Sequence, residues 1–147
     1  MMHQTTKILT AGPGHVPRMQ AIAAAAYADA LAGLDGLPDV IGSIGGDMEA
    51  GPAWVAQCDG QVAGFLIACR RDGALKLVNL AVDPAFGGRG LARRLLTRAE
   101  QSARQRGLTR LELVTHADMT ATRGMYRHLG WREEQVTEHA VFLSKTL

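Results

Sequence analysis

The sequence predicts one α/β domain built on a mixed, mostly antiparallel central sheet of six to seven strands, with helices on both faces. Three observations carry that prediction. Apolar, β-branched runs turn at Asp59-Gly60 and again at Arg71-Asp72-Gly73, which marks a three-strand meander. An alanine-rich stretch before the meander and an arginine-rich one after it both have helical spacing. Strands and helices then alternate to the C-terminus, so helices must cover both faces of the sheet. With 147 residues, 47% of them hydrophobic, residues 1–147 are read as one domain that buries its core without disulfide or metal support.

Lys7 to Thr10 reads as the first strand, broken by Gly12-Pro13-Gly14. Pro17 suits the first turn of a helix running to Leu31, whose apolar stripe is Met19, Ile22, Ala23, Ala26, Tyr27 and Ala30. Gly33 to Pro38 is a break, and Asp39 to Met48 is expected as a weak helix because Gly42, Gly45 and Gly46 each cost it stability. Ala53 to Cys58 and Gln61 to Arg70 form the first hairpin. Leu75 to Val82 is apolar at nearly every position, as a strand covered on both faces requires, and Pro84 ends it for want of an amide donor. Leu91, Leu95, Ala99 and Ala103 make a helical stripe closing at Arg106-Gly107. Leu108 to Thr115 alternates as a strand. Asp118 is placed to cap a helix bearing Met119, Thr122, Met125, Tyr126 and Leu129, closed by Gly130, and Val136 with Ala140 to Leu143 suggests a terminal strand pair.

The net charge of +2 gives no argument for nucleic acid. The six arginines from Arg89 to Arg106 against Glu100 alone read as a solvated helix face whose first turn lies beside a bound anion. They lack the interleaved aromatics of a nucleic-acid module. Cys58 pairs with Gln61 in the hairpin, which leaves Cys69 far beyond bridging distance, so free thiols and a cytoplasmic setting are expected. With no uninterrupted run of about 20 apolar residues, neither export nor membrane association is expected. Pairing into a homodimer through an exposed sheet edge stays open.

The most informative segment joins the strand ending at Val82 to the arginine helix. Gly87, Gly88 and Gly90 permit torsions and approaches that a Cβ would block, so successive N–H groups converge on one anion at a helix start. The expected ligand carries a phosphate or pyrophosphate. A dinucleotide fingerprint would need a glycine where Arg93 stands, and no Gly-Lys-Ser or Gly-Lys-Thr run exists for a P-loop.

With Ala81-Val82-Asp83-Pro84, then Gly90-Leu91-Ala92, then Met125-Tyr126-Arg127-His128-Leu129-Gly130-Trp131, the chain resembles the GCN5-related N-acetyltransferases. The element order is similar to that family's acyl-CoA N-acyltransferase fold from end to end. The family's phosphate turn reads Gln or Arg, two residues, Gly, one residue, then Gly or Ala. Gly87 stands here at the long polar position, which leaves charge neutralisation to Arg89. The resemblance implies acetyl-CoA as co-substrate and no metal, in a cleft between strands ending near Val82 and Thr115. Leu80, Ala81, Val82, Gly87, Gly88, Arg89, Gly90, Leu91, Ala92 and Arg93 are implied to hold it, joined by His116, Met119, Thr122 and Tyr126 beyond the cleft. Met119 and Thr122 stand where the family often has Asn and, three residues on, Ala. The Val82 N–H is implied to steady the thioester oxygen, and Tyr126 to protonate the departing thiolate.

The acceptor is expected to be a small-molecule or peptide amine, and no residue identifies itself as the base that deprotonates it. His116 is a candidate base that also suits a capping role, Glu112 lies on the flanking strand within reach of an arginine, and Asn79 can orient an acceptor. Tyr27, Asp35 and Asp39 fall in the segment that covers the acceptor in relatives, and Asp35, Asp39, Asp47 and Glu49 hint at a cationic acceptor. Asp83 most simply caps the turn before Pro84. The rival reading is a non-catalytic acyl-CoA sensor or scaffold of the same fold, which would keep the glycine turn and lose the acid.

Overall fold

The computed structural model describes residues 5–33 and 41–147, the side chains of residues 29–33 excepted. Seven strands form one sheet: β1 (Thr6–Thr10), β2 (Ala53–Cys58), β3 (Gln61–Arg71), β4 (Ala74–Val82), β5 (Arg110–His116), β6 (Arg132–Val136) and β7 (Ala140–Thr146). Their spatial order is β1-β2-β3-β4-β5-β7-β6. Only β4 and β5 run parallel; every other neighbouring pair is antiparallel. Among the described residues four α-helices accompany them: α1 (Val16–Gly33), α2 (Ile44–Ala50), α3 (Leu91–Gln105) and α4 (Thr120–His128). This is the expected mixed, mostly antiparallel sheet with helices on both faces.

The two meander turns form because their residues tolerate positive φ. Asp59 and Gly60 sit at 49° and 82°, Asp72 and Gly73 at 46° and 80°, the left-handed pairs that match the twist of a two-residue hairpin. Cys58 pairs with Gln61 as the spacing required, and both cysteines are free thiols.

Each sheet face carries its own core. On one face Met19, Ile22 and Ala23 of α1 and Ile44 of α2 pack on Val55, Phe65, Ile67 and Ala81. On the other, Leu91, Leu95, Leu96, Ala99 and Ala103 of α3 and Tyr126 of α4 pack on Trp54, Leu66, Leu75, Leu77, Leu111 and Leu113. Burying each of these leucines is worth about 1.5–3 kcal/mol.

Two expectations are corrected. The weak helix is not Asp39–Met48 but Ile44–Ala50, and it tolerates Gly45 and Gly46 because Ile44 is fully buried at its start. Gly33, the start of the expected break, is instead the last residue of α1; the rest of that break to Pro38, with Asp35 and Asp39, lies outside the described residues. Asp118 does not cap α4. Its N–H donates to Nδ1 of His116 (3.1 Å) within a tight turn, and Met119 takes the capping position with no side-chain bond. Among the described residues no helix is long and apolar enough to cross a membrane.

Candidate active site

The parallel pair at the centre of the sheet is short. β4 and β5 are in register only from Ala74 with Arg110 to Lys76 with Glu112. Beyond that the strands part, although β4 continues to Val82 and β5 to His116. The divergence coincides with a bulge: Ala68 pairs with Leu77 and Ile67 with Asn79, so Val78 is the extra residue in β4.

The ladder on the far side of β4 shows which donors the splay releases. The Asp83 N–H donates to the Ala63 carbonyl (2.8 Å), which makes Asp83 and Ala63 a hydrogen-bonded pair. By antiparallel alternation, Ala81 also faces β3, while the N–H groups of Leu80 and Val82 face the splay, where β5 no longer pairs.

The turn after β4 exposes a second set of donors. Asp83 opens it by accepting the Ala85 N–H (3.0 Å), and Pro84–Phe86 make one tight turn. Gly88 and Gly90 then take φ of 77° and 71°, a region costly to any residue with a Cβ. Gly90 is the residue before α3, and no side chain caps that helix. Among the described residues no N–H from Gly88 to Arg93 finds an acceptor; the next bond is from Arg94 to the Gly90 carbonyl. The expected cradle began one residue earlier, at Gly87. That is corrected, because the Gly87 N–H already donates to the Pro84 carbonyl (3.2 Å). These donors, aligned with the positive end of the α3 dipole, suit a diphosphate.

Arg89 holds its guanidinium over the Phe86 ring, 5.0 Å from the centroid. Both line a hollow of about 780 Å³ with Arg18, Gln61, Val62 and Asp83, on the β3 side of β4 and away from the splay. Arg18 ties α1 to this corner, donating to Asp83 (2.7 Å) and to the Val62 carbonyl (2.9 Å). The Ala85 N–H first, and Arg18 second, hold the Asp83 carboxyl below its usual range. The sequence reading found the Asp83 cap but not Arg18, because nothing in local spacing connects residues 65 positions apart.

Two phenols approach the splayed part of β4 from opposite faces. Tyr126 of α4 is buried against Trp131, ring to ring at 5.2 Å and edge-on. Burial, then repulsion from Tyr27, pushes its pKa well above that of a free phenol. Among the described residues its hydroxyl has no hydrogen-bond partner, yet no fully buried side-chain oxygen or nitrogen is left unpaired. The Tyr126 oxygen therefore keeps some exposure although the residue as a whole is buried. Tyr27 of α1 lies within 2.6 Å of the Leu80 carbonyl and 3.0 Å of Asn79 Oδ1, its hydroxyl donating toward both, and burial pushes its pKa up to about 12.

The remaining predicted residues spread around this centre. Leu91 is buried in the core and Ala92 and Arg93 lie on the first turn of α3. Met119 receives a hydrogen bond from the Thr115 hydroxyl on its sulfur (3.7 Å), and Thr122 is half-buried on α4. Glu112 is held by Arg110, as anticipated. His116 uses Nδ1 in the turn with Asp118 and lies against His139, with ring centroids 6.1 Å apart. Asp47 and Glu49 belong to α2, which packs on β3 rather than beside the splay.

Comparison with known proteins gives a family and a fold. The family model described as the acetyltransferase (GNAT) family matches residues 34–131. N-acetylaspartate synthetase of Rattus norvegicus is 33% identical over 96 residues, 64% of this chain and 32% of that protein. The Homo sapiens protein of that name is 32% identical over the same shares. The chain thus spans about a third of the length of these curated relatives. Among solved structures, the ribosomal-protein-S18-alanine N-acetyltransferase from Escherichia coli superposes with a TM-score of 0.80 at 22% identity, over 97% of this chain and 94% of that one. The PaiA N-acetyltransferase from Thermoplasma acidophilum in complex with coenzyme A gives 0.82 at 14% identity, over 97% and 99%. At such identities the likeness is one of fold.

Proposed function

The chain belongs to the GNAT acetyltransferase family, and from that premise we propose that it transfers the acetyl group of acetyl-CoA to a primary amine of a small molecule or peptide by direct attack. The observation that carries this reading is the run of unpartnered N–H groups from Gly88 to Arg93, set where β4 leaves the sheet beside a splay. Acetyl-CoA supplies a thioester, whose carbonyl carbon is open to attack and whose sulfur leaves as a thiolate.

The chain's own residues have three tasks. The donors from Gly88 to Arg93 hold the diphosphate and fix the register of the pantetheine arm along the splay. The Val82 N–H hydrogen-bonds the thioester oxygen as negative charge gathers there. Tyr126 gives its proton to the departing sulfur. Its raised pKa keeps it protonated throughout the neutral range, and the same burial makes a thiolate formed beside it more basic, so donation is not uphill by the whole of the shift. In balance, a C–N bond forms and the C–S bond breaks. The amine's proton passes to water, and the Tyr126 phenolate is reprotonated from solvent.

Tyr126→Phe tests the reading. Steady-state thiol release should fall about 100-fold or more, while calorimetry shows acetyl-CoA affinity within about twofold of the parent. Undiminished turnover would return Tyr126 to the core. Tight acetyl-CoA binding with no thiol release from any amine would favour the sensor reading instead.

A further inference from the structure

We infer that the sheet face opposite Tyr126 carries an apolar shelf beside the reacting carbonyl, so that the acceptor is a primary amine bearing a bulky aliphatic or aromatic group. This rests on the acetyl-transfer reading above. Five large hydrophobic residues stand exposed among the described residues: Leu9, Val78, Val114, Val136 and Phe142. Leu9 and Val136 lie on the outermost strands, β1 and β6, where single exposed apolar residues need no explanation. The other three gather beside the splay.

The registers show this. Lys76 of β4 pairs with Glu112 of β5, the last pair before the strands part, and Val78 and Val114 stand two residues further along their strands, Val78 at the bulge. Val114 in turn pairs with Phe142 of β7. Their exposures are 38%, 44% and 41%. One side chain from each of three adjacent strands thus lies bare at the mouth of the splay.

The face matters as much as the place. Leu111 and Leu113 point into the α3 and α4 core, so Val114, the next residue after Leu113, points to the opposite face. The α3 and α4 side is where the glycine turn and Tyr126 stand, and so belongs to the cofactor and its leaving sulfur. An acceptor must come from the other side, across Val114 and Phe142, with exposed Val78 and Tyr27 at the β4 margin.

Charges argue against a polycationic acceptor. In the adjoining row Glu112 is neutralised by Arg110, Lys76 adds a positive charge, and Glu134 accepts a hydrogen bond from Ser144 (2.7 Å). That row has no surplus of carboxylates to receive a second ammonium group. An amine whose remainder is apolar covers the shelf and brings no further charge.

The experiment measures thiol release from acetyl-CoA with phenethylamine and isopentylamine against putrescine and ethanolamine, for the parent chain, Phe142→Ser and the isosteric Val114→Thr. The apolar amines should exceed the polar ones at least about tenfold in kcat/KM. Each substitution should cut the apolar amines about tenfold more than ethanolamine, chiefly through KM, with acetyl-CoA affinity held. Putrescine matching or exceeding phenethylamine, or equal losses for all amines, overturns the shelf. Should no amine release thiol, the acetyl-transfer reading falls, and calorimetry of phenethylamine on the CoA-loaded chain judges the shelf separately. Binding that Phe142→Ser abolishes upholds it as a site; absence of binding overturns it.

Discussion

At the scale of single residues, the glycine turn and Tyr126 are chosen by what their neighbours forbid. A Cβ built on Gly90 meets no protein atom within 4 Å, so what demands glycine is its φ of 71° and the open space the side chain would fill. Gly90→Val should therefore cost only the left-handed strain, about 1–2 kcal/mol, and leave a folded chain. Its acetyl-CoA affinity should fall at least tenfold, because the isopropyl group stands where a diphosphate must approach. Calorimetric titration beside a melting curve separates the two effects, and unchanged affinity would remove the turn from the site. The spacing of Gly88 and Gly90 made this turn legible in the sequence. That the Gly87 N–H is spent on Pro84 was not, since it depends on the tight turn made by Pro84–Phe86.

Among elements, β4 carries the site because it belongs to two different neighbours along its length. Its first residues pair with β5 while its last have only β3, and the bulge at Val78 falls at the change. α3 holds this strand from one face through Leu95, which is fully buried. Leu95→Ala should destabilise the chain by about 2–5 kcal/mol in urea unfolding, with the spread set by how far the cavity collapses. A loss under 1 kcal/mol would mean that α3 is not fastened there. Strands β2 to β5 and helices α1 and α3 were readable to within a few residues because period, turn chemistry and apolar stripe agree in each. α2 and the start of α4 were not. The position of α2 is decided by the burial of Ile44 beneath it, and α4 begins late because His116 takes the Asp118 N–H.

Across the whole molecule, the two cores meet through the sheet, and each sends one phenol toward β4. Both phenols ionise less readily folded than free, Tyr27 being pushed up to about 12 and Tyr126 likewise upward, in each case chiefly by burial. Below pH 10 both are neutral in either state and their burial contributes fully to stability. As pH climbs from about 10 toward 12 the unfolded chain gives up protons that the folded chain keeps. Stability then falls, at up to about 1.4 kcal/mol per pH unit for each phenol. Denaturant midpoints between pH 8 and 11.5 should show this decline, and Tyr27→Phe should remove one phenol's share; a flat profile would mean that neither ring is desolvated. The sequence by itself determined the strand and helix types, the two Asp-Gly hairpins, the glycine turn and the tyrosine on the last helix. Each of these follows from residue chemistry and spacing within a few neighbours. Only the tertiary structure decided that β4 and β5 part after Lys76, which N–H groups are left without acceptors, that Arg18 reaches Asp83, and that Val114 and Phe142 stand side by side with Val78 exposed on the strand across the splay. Those are properties of register and of contacts between distant segments, and a one-residue shift in pairing would reverse the face of every side chain involved.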